Sequence, residues 1–338
     1  MVYRGALIGC GYISEKQLWA WEQLDEAQIV AVCDIDQDKA FQRAAQFNIP
    51  AVYTDYREML EEQALDFIDI ATRPANHLEL VLAGAERGLN VLCQKPIAES
   101  IEEVRQMIAA CQRAGVLFMI NENVRHQPWF RQVKLLLDQG LLGTPYDARF
   151  FSRWRSSLPI PDFEGQSFFA DMPRLIVYEW GVHLLDTARF LFGEAQSVYA
   201  RLQQVSPYIT GEDKALVIAN FGHLTCLLDT NWYAIAPSDS SDINWGTFAV
   251  DGTLGTAILG RDGRLTLHTS EGTQIWKFPS DSIDASFIAT QRHFIDCLRT
   301  GKEPETGGEA TLRTMALVFA AYCSAEQGRV ITLDELDG

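Results

Sequence analysis

The sequence contains no Cys-x-x-Cys pair, and its seven cysteines (Cys10, Cys33, Cys93, Cys111, Cys226, Cys297 and Cys323) are scattered and odd in number. That argues against a disulfide framework or a thiolate zinc site and points to a reducing, cytoplasmic compartment. No run of Lys and Arg interrupts a formal net charge of −17. Such a surface repels a phosphate backbone, so no nucleic-acid partner is expected. No apolar stretch approaches the ~18 to 20 residues that cross a bilayer, and Met1 leads directly into an apolar strand without the basic and apolar regions of a signal peptide. No membrane partner is expected either. Internal repeats and low-complexity linkers are also absent.

What remains is a globular composition, with 47% hydrophobic and 22% charged residues over 338 positions. That length suits two domains. Strand-like runs at residues 6–8, 28–34, around 52, 67–71, 90–93 and 116–120 alternate with helical runs at 14–24, 37–46, 77–88 and 100–114. Six strands separated by helices predict an α/β Rossmann domain with a doubly wound parallel sheet over residues 1–122. Beyond that point the texture changes. A helix at 129–139, closed by Gly140, precedes strand candidates at 146–154, 197–204, 214–221, 224–232, 244–251, 256–259, 264–268 and 274–278. The turns Gly222-His223, Asp251-Gly252 and Asp262-Gly263 predict a meander. With helices at 175–192, 286–300 and 309–327, residues 123–338 are expected to form an α+β domain with one large open antiparallel sheet, serving substrate binding and oligomerisation.

Gly9-Cys10-Gly11-Tyr12-Ile13-Ser14 joins the first strand to the first helix. A glycine at the first position permits the tight turn, and one at the second lets the backbone approach a pyrophosphate drawn to the helix N-terminus. Ser14 stands where the fingerprint has Gly or Ala. Asp34 ends the second strand about 20 residues further on, the position from which a carboxylate accepts hydrogen bonds from ribose hydroxyls. A carboxylate there repels a 2′-phosphate, so NAD is expected over NADP. The alternative is that Asp34 and Asp36 cap the next helix.

Cys93-Gln94-Lys95-Pro96, taken with the glycine turn, Thr72-Arg73-Pro74-Ala75-Asn76-His77, Gly140-Leu141-Leu142-Gly143 and Trp180-Gly181-Val182-His183, resembles the Gfo/Idh/MocA family. That family includes glucose-fructose oxidoreductase and inositol dehydrogenase, and the resemblance covers nearly the whole chain. It implies cofactor contacts from Gly9, Gly11, Tyr12, Ile13, Asp34, Ile35, Thr72, Arg73, His77, Gln94 and Lys95. It also implies that Lys95 lies beside the nicotinamide and steadies the substrate oxygen, where the alternative is a strand-end lysine in solvent. The family's Glu-Lys-Pro is Gln94-Lys95-Pro96 here, which removes a carboxylate beside the lysine.

The family's second pattern, Asp then His four residues on, becomes Glu179 and His183. On a helix such a pair shares one face. An imidazole titrates near neutrality without perturbation, so His183 suits a general base and Glu179 a partner that orients it or the substrate. A structural pair, a core histidine, or a metal site with Asp186 are the other readings of this helix, and no metal is expected. The resemblance further implies a substrate pocket lined by Asn123, Arg125 and Trp154, with Arg153 and Arg155 beside the last. Trp232 and Trp245 read as sheet residues, while Trp19 and Trp21 lie near the cofactor or pack the first helix. The expected activity is hydride transfer between nicotinamide and a secondary alcohol of a sugar, polyol, cyclitol or sugar acid, in a homodimer or homotetramer. NAD-dependent glycoside cleavage through transient oxidation and a silent NAD-binding regulator are the alternative functions.

Overall fold

The computed structural model describes residues 2–154, 163, 166–234 and 242–336. They form two compact units, Met1–Asn123 with Asp284–Leu312, and Val124–Ile283 with Arg313–Gly338.

The first unit opens as strands β1 (Tyr3–Ile8), β2 (Ala27–Cys33), β3 (Ala51–Tyr53), β4 (Phe67–Ile70), β5 (Asn90–Gln94) and β6 (Phe118–Asn121), interleaved with α1 (Tyr12–Trp21), α2 (Gln37–Gln46), α3 (Tyr56–Glu62), α4 (His77–Glu86) and α5 (Ile101–Ala114). All neighbouring strands are parallel, in the order β3-β2-β1-β4-β5-β6, the doubly wound Rossmann sheet expected. Every residue of β4 is buried, as strands covered on both faces require. The helix expected over 14–24 begins two residues earlier, directly after Gly11, so the glycine turn forms its N-terminus.

The second unit contains α6 (Pro128–Asp138), β7 (Pro145–Arg153), α7 (Val182–Phe192), β8 (Ser197–Gln203), β9 (Lys214–Asn220), β10 (Thr225–Asn231), β11 (Gly246–Gly252), β12 (Gly255–Leu259), β13 (Arg264–Thr269) and β14 (Gly272–Lys277). Helices α8 (Ser282–Thr300) and α9 (Gly308–Gln327) and the short strand β15 (Ile331–Thr332) complete the chain. The nine strands run β14-β13-β12-β11-β7-β10-β9-β8-β15. The large sheet is mostly antiparallel, as expected, with one parallel pair: β7 lies between β10 and β11 and pairs with β10 in parallel. The reason is connectivity, since a long segment containing α7 separates β7 from β8 and frees β7 from any hairpin with its successor.

A correction concerns residues 284–312, which were expected in the second domain and instead belong to the first unit. One face of the parallel sheet carries Phe67, Leu92 and Met119, and Phe294 and Ile295 of α8 join that core. Phe294 meets Phe67 edge-on at 5.4 Å, and Phe67 meets Trp21 at 4.9 Å. The Gln291 amide donates to the Gln17 carbonyl at 2.9 Å. A late helix thus closes a sheet whose strands all come from the first 121 residues.

Under α1 the core contains one buried carboxyl. Asp69 accepts from Trp21 Nε1 at 2.8 Å and Gln17 Nε2 at 3.3 Å, so Trp21 packs the first helix. Burial pushes Asp69 from 3.8 up to about 7, against the smaller downward pull of the Trp21 bond. Unfolded, this group titrates near ~3.9. Its stabilising contribution is therefore complete below about pH 4 and lost as pH rises through about 7. Asp69→Asn stays neutral throughout, so its stability relative to wild type should rise by on the order of 2 kcal/mol between about pH 5 and about pH 8. Urea unfolding at both values tests this, and a difference independent of pH contradicts it.

Candidate active site

In the first unit the glycine turn is fixed from three sides. Gly9 has φ +100°, and a Cβ there would lie 2.7 Å from the Ala71 carbonyl oxygen, so only glycine fits. The Gly9 N–H donates to the Cys33 carbonyl at 2.8 Å. Asp34 then accepts from two backbone groups, the Cys10 N–H at 2.6 Å and the Asp36 N–H at 2.8 Å. Asp36 in turn caps α2, accepting from the Lys39 N–H. A carboxylate offers about four lone-pair directions, so two remain at Asp34 for ribose hydroxyls. Burial pushes the adjacent Cys10 and Cys33 thiols up to about 12, leaving both neutral.

Gly11 differs from Gly9. Its φ of −75° suits any residue, and among the described residues nothing beyond its own chain neighbours and helix lies within 4 Å of where its Cβ would be. Neither backbone strain nor packing calls for glycine here, and the open space above the α1 N-terminus fits a dinucleotide pyrophosphate. Ser14, the departure from the fingerprint, is fully buried. Its hydroxyl donates to the Gly11 carbonyl at 2.5 Å and accepts from Arg43 Nε at 2.9 Å. The extra atoms thus tie α2 to the turn, a link that sequence spacing does not reveal.

Around the turn, Tyr12 is exposed and Ile13 half-buried, and Ile35, next to Asp34, is 94% exposed. Thr72 is half-buried and Arg73 exposed after β4. His77 is fully buried, with Nδ1 at 3.0 Å from the Ile97 carbonyl and Nε2 at 3.0 Å from the Thr72 carbonyl. The ring thus braces the loop after β4 against the segment after Lys95-Pro96. Gln94 is buried at the end of β5, and its side-chain oxygen accepts from the Lys95 N–H at 2.7 Å. Lys95 itself is half-buried. Asn123 is buried and donates to Ser286 Oγ at 2.8 Å.

In the second unit Glu179 and His183 are both buried. They do not share one continuous α-helix. Residues Ile176–Gly181 wind as a π-turn that passes into α7, so Glu179 belongs to the wider turn and His183 to the first turn of the α-helix. Such insertions recur at functional sites. Asp186, one turn beyond His183, receives Arg125 through both oxygens, at 2.7 Å and 2.6 Å, and the Thr314 hydroxyl at 3.0 Å. Removing one partner of so buried a pair costs about 3–5 kcal/mol. Arg125, expected at the substrate, is therefore engaged in holding the element that carries His183.

Trp154 stands in an aromatic group that the sequence did not assemble. Its ring lies 4.9 Å from Trp180, 5.6 Å from Trp232 in a stack, and 5.9 Å from Trp245. Trp180 is edge-on to His183 at 5.6 Å and donates through Nε1 to Ser152 Oγ at 3.1 Å. Trp232 and Trp245, read as plain sheet residues, belong to this group. Arg153 pairs with Asp229, and Arg155 lies outside the described residues.

The family description "Oxidoreductase family, NAD-binding Rossmann fold" matches residues 3–122, and "GFO/IDH/MocA C-terminal domain" matches residues 130–258. The chain is 39% identical to D-apiose dehydrogenase of Paraburkholderia graminis, covering 99% of this chain and 91% of that one. It is 34% identical to D-apiose dehydrogenase of Rhizobium rhizogenes, covering 98% and 97%. Among solved structures it is similar to an oxidoreductase from Agrobacterium radiobacter in complex with NAD+, L-tartaric acid and magnesium, with TM-score 0.93, 33% identity, and coverage of 99% and 100%. With the parallel sheet, the glycine turn and Asp34 already in view, the chain belongs to the GFO/IDH/MocA family and is an NAD-dependent oxidoreductase.

Proposed function

We propose that this oxidoreductase acts on a CH–OH carbon of a small sugar, D-apiose foremost. The observation that carries the reading is the 39% identity to a D-apiose dehydrogenase across 99% of the chain, joined to Lys95 and His183 at the family's lysine and histidine positions, with Glu179 in place of its Asp. When bound, the nicotinamide supplies the hydride acceptor. His183 takes the hydroxyl proton as the carbon–oxygen double bond forms, Lys95 donates to the developing alkoxide, and Glu179 orients the base. Trp154, backed by Trp232, offers a flat face to the C–H side of the sugar. Gly9, Gly11, Tyr12 and Ile13 receive the pyrophosphate end of the cofactor, and Asp34 and Ile35 the adenosine end. Thr72, Arg73 and Gln94 border it at the strand ends. In this reading Asn123, held by Ser286, and Arg125, held by Asp186, each contribute to substrate binding. All seven cysteines are free thiols, which supports a cytoplasmic setting. Among the described residues no helix is long and apolar enough to cross a membrane.

With D-apiose and NAD, the NADH absorbance band should grow, and His183→Ala should lower turnover by ~10²-fold or more while NAD binding persists. L-tartrate serves as the acid comparator. Unchanged turnover in His183→Ala, or no NADH from D-apiose, contradicts the reading.

We further propose that a second copy of the chain covers the outer face of the nine-stranded sheet. Register aligns Ile275, Thr266, Ile258, Ala249, Arg149, Leu227, Ile218 and Tyr199 across it, and Phe151 and Ile258 are exposed there. The apolar side chains of this face, set among the Arg149–Asp251 and Arg153–Asp229 pairs, favour burial against a matching surface. Light scattering should give at least twice the monomer mass, and a monomer at micromolar concentration contradicts the assembly.

A further inference from the structure

A helix start leaves its first N–H groups without intrahelical partners. At the π-turn before α7 these groups are taken up by one residue and its neighbour. Leu175 N–H lies 3.2 Å from each carboxylate oxygen of Glu212, and Val177 N–H lies 3.1 Å from Oε1. Ile176 N–H donates to the backbone carbonyl of the same Glu212 at 3.0 Å. Tyr178 N–H donates to the Tyr322 hydroxyl at 3.2 Å, and that hydroxyl donates to Glu212 Oε1 at 2.5 Å. Four successive donors are thereby satisfied, all by buried groups.

The approach of Glu212 is built into the chain beside it. A Cβ on Gly211 would lie 2.6 Å from the Met172 carbonyl oxygen and 3.0 Å from Leu175 Cβ, so the loop reaches the turn only as glycine. Asp213 pins the other side, accepting from the Val205 and Ser206 N–H groups at 2.7 Å and 3.0 Å. Burial pushes Glu212 above the usual carboxylate range, while the bonds from Tyr322 and the backbone pull it back down. Burial also raises the Tyr322 phenol well above its ordinary value, which keeps its proton available to the carboxylate.

We propose that Glu212, acting with Tyr322, is a positioning residue that holds Ile176–Gly181 in π-winding and so sets the angle between Glu179 and His183. The inference rests on the roles assigned above to those two side chains. A π-turn contains one residue more than the α-helical turn to which it can relax, and a slip of one residue rotates a side chain by about 100°. Without the cap, Glu179 and Trp180 swing while His183 stays with α7.

Two variants test this. Glu212→Gln replaces an acceptor oxygen with an amino group facing N–H donors, and Tyr322→Phe removes only the hydroxyl. Trp180 lies in the turn against Trp154 and Trp245, both at 4.9 Å, so near-ultraviolet circular dichroism reads the winding, with Trp180→Phe assigning the signal. Both variants should change that band with the far-ultraviolet spectrum and NAD affinity retained. With D-apiose and NAD, kcat should fall at least tenfold with KM within about twofold, and Glu212→Asp should recover part of it. An unchanged Trp180 band in either folded variant overturns the proposal, as does full kcat once the band has changed. His183→Ala is the control for the functional reading: if it keeps turnover, that reading fails, whereas the spectroscopic result still decides whether Glu212 holds the turn. Should Glu212→Gln not fold, Tyr322→Phe carries both measurements.

Discussion

The carboxylate of Asp34 is the constraint on which the first unit depends. Placed at the end of β2, it accepts from Cys10 in the glycine turn and from Asp36 at the start of α2. Two backbone segments that would otherwise present unpaired N–H groups are thereby held around one negative charge. The turn must also keep Gly9 in left-handed backbone, close to the Ala71 carbonyl. Together these leave the α1 N-terminus open above Gly11, with spare lone pairs of Asp34 beside it. Support of the turn leaves part of the Asp34 acceptor capacity unused, so a structural role and the ribose-acceptor reading are compatible.

The second unit solves a related problem differently. Of its reactive candidates, Glu179 sits on a turn whose winding is unusual and His183 on the helix that follows, and buried polar groups surround that turn. Glu212 and Tyr322 take up its leading N–H groups, while Arg125 and Asp186 join the following helix to the segment after β6 in the chain. In each case a charged group is buried with its hydrogen-bonding capacity engaged, an arrangement that favours one geometry over its near neighbours. The tryptophans around Trp154 add a large apolar surface next to His183.

Much of this was legible in the sequence because it is written in consecutive residues. The alternation of strands and helices, Gly140 closing a helix with φ +70°, and the spacing from the glycine turn to Asp34 are local signals. What could not be read are pairings between distant segments. Phe294 in the first core, β7 between β10 and β11, and Arg125 on Asp186 all require knowing where separate elements meet. The π-turn was missed for another reason. Its residues have the apolar pattern of an ordinary helix, and the extra residue is stabilised by Glu212, which lies on a loop more than thirty positions later. The bracing by His77 was likewise out of reach, since the Ile97 carbonyl it meets lies twenty positions further on.

The central claim is that Asp34 organises a site for a dinucleotide with free ribose hydroxyls. Isothermal titration of the protein with NAD and with NADP tests it most directly. A 2′-phosphate would bring two negative charges against a carboxylate already held in place by Cys10 and Asp36, so NAD should bind at least tenfold more tightly, a difference of about 1.4 kcal/mol. Equal affinities, or a preference for NADP, would contradict the account.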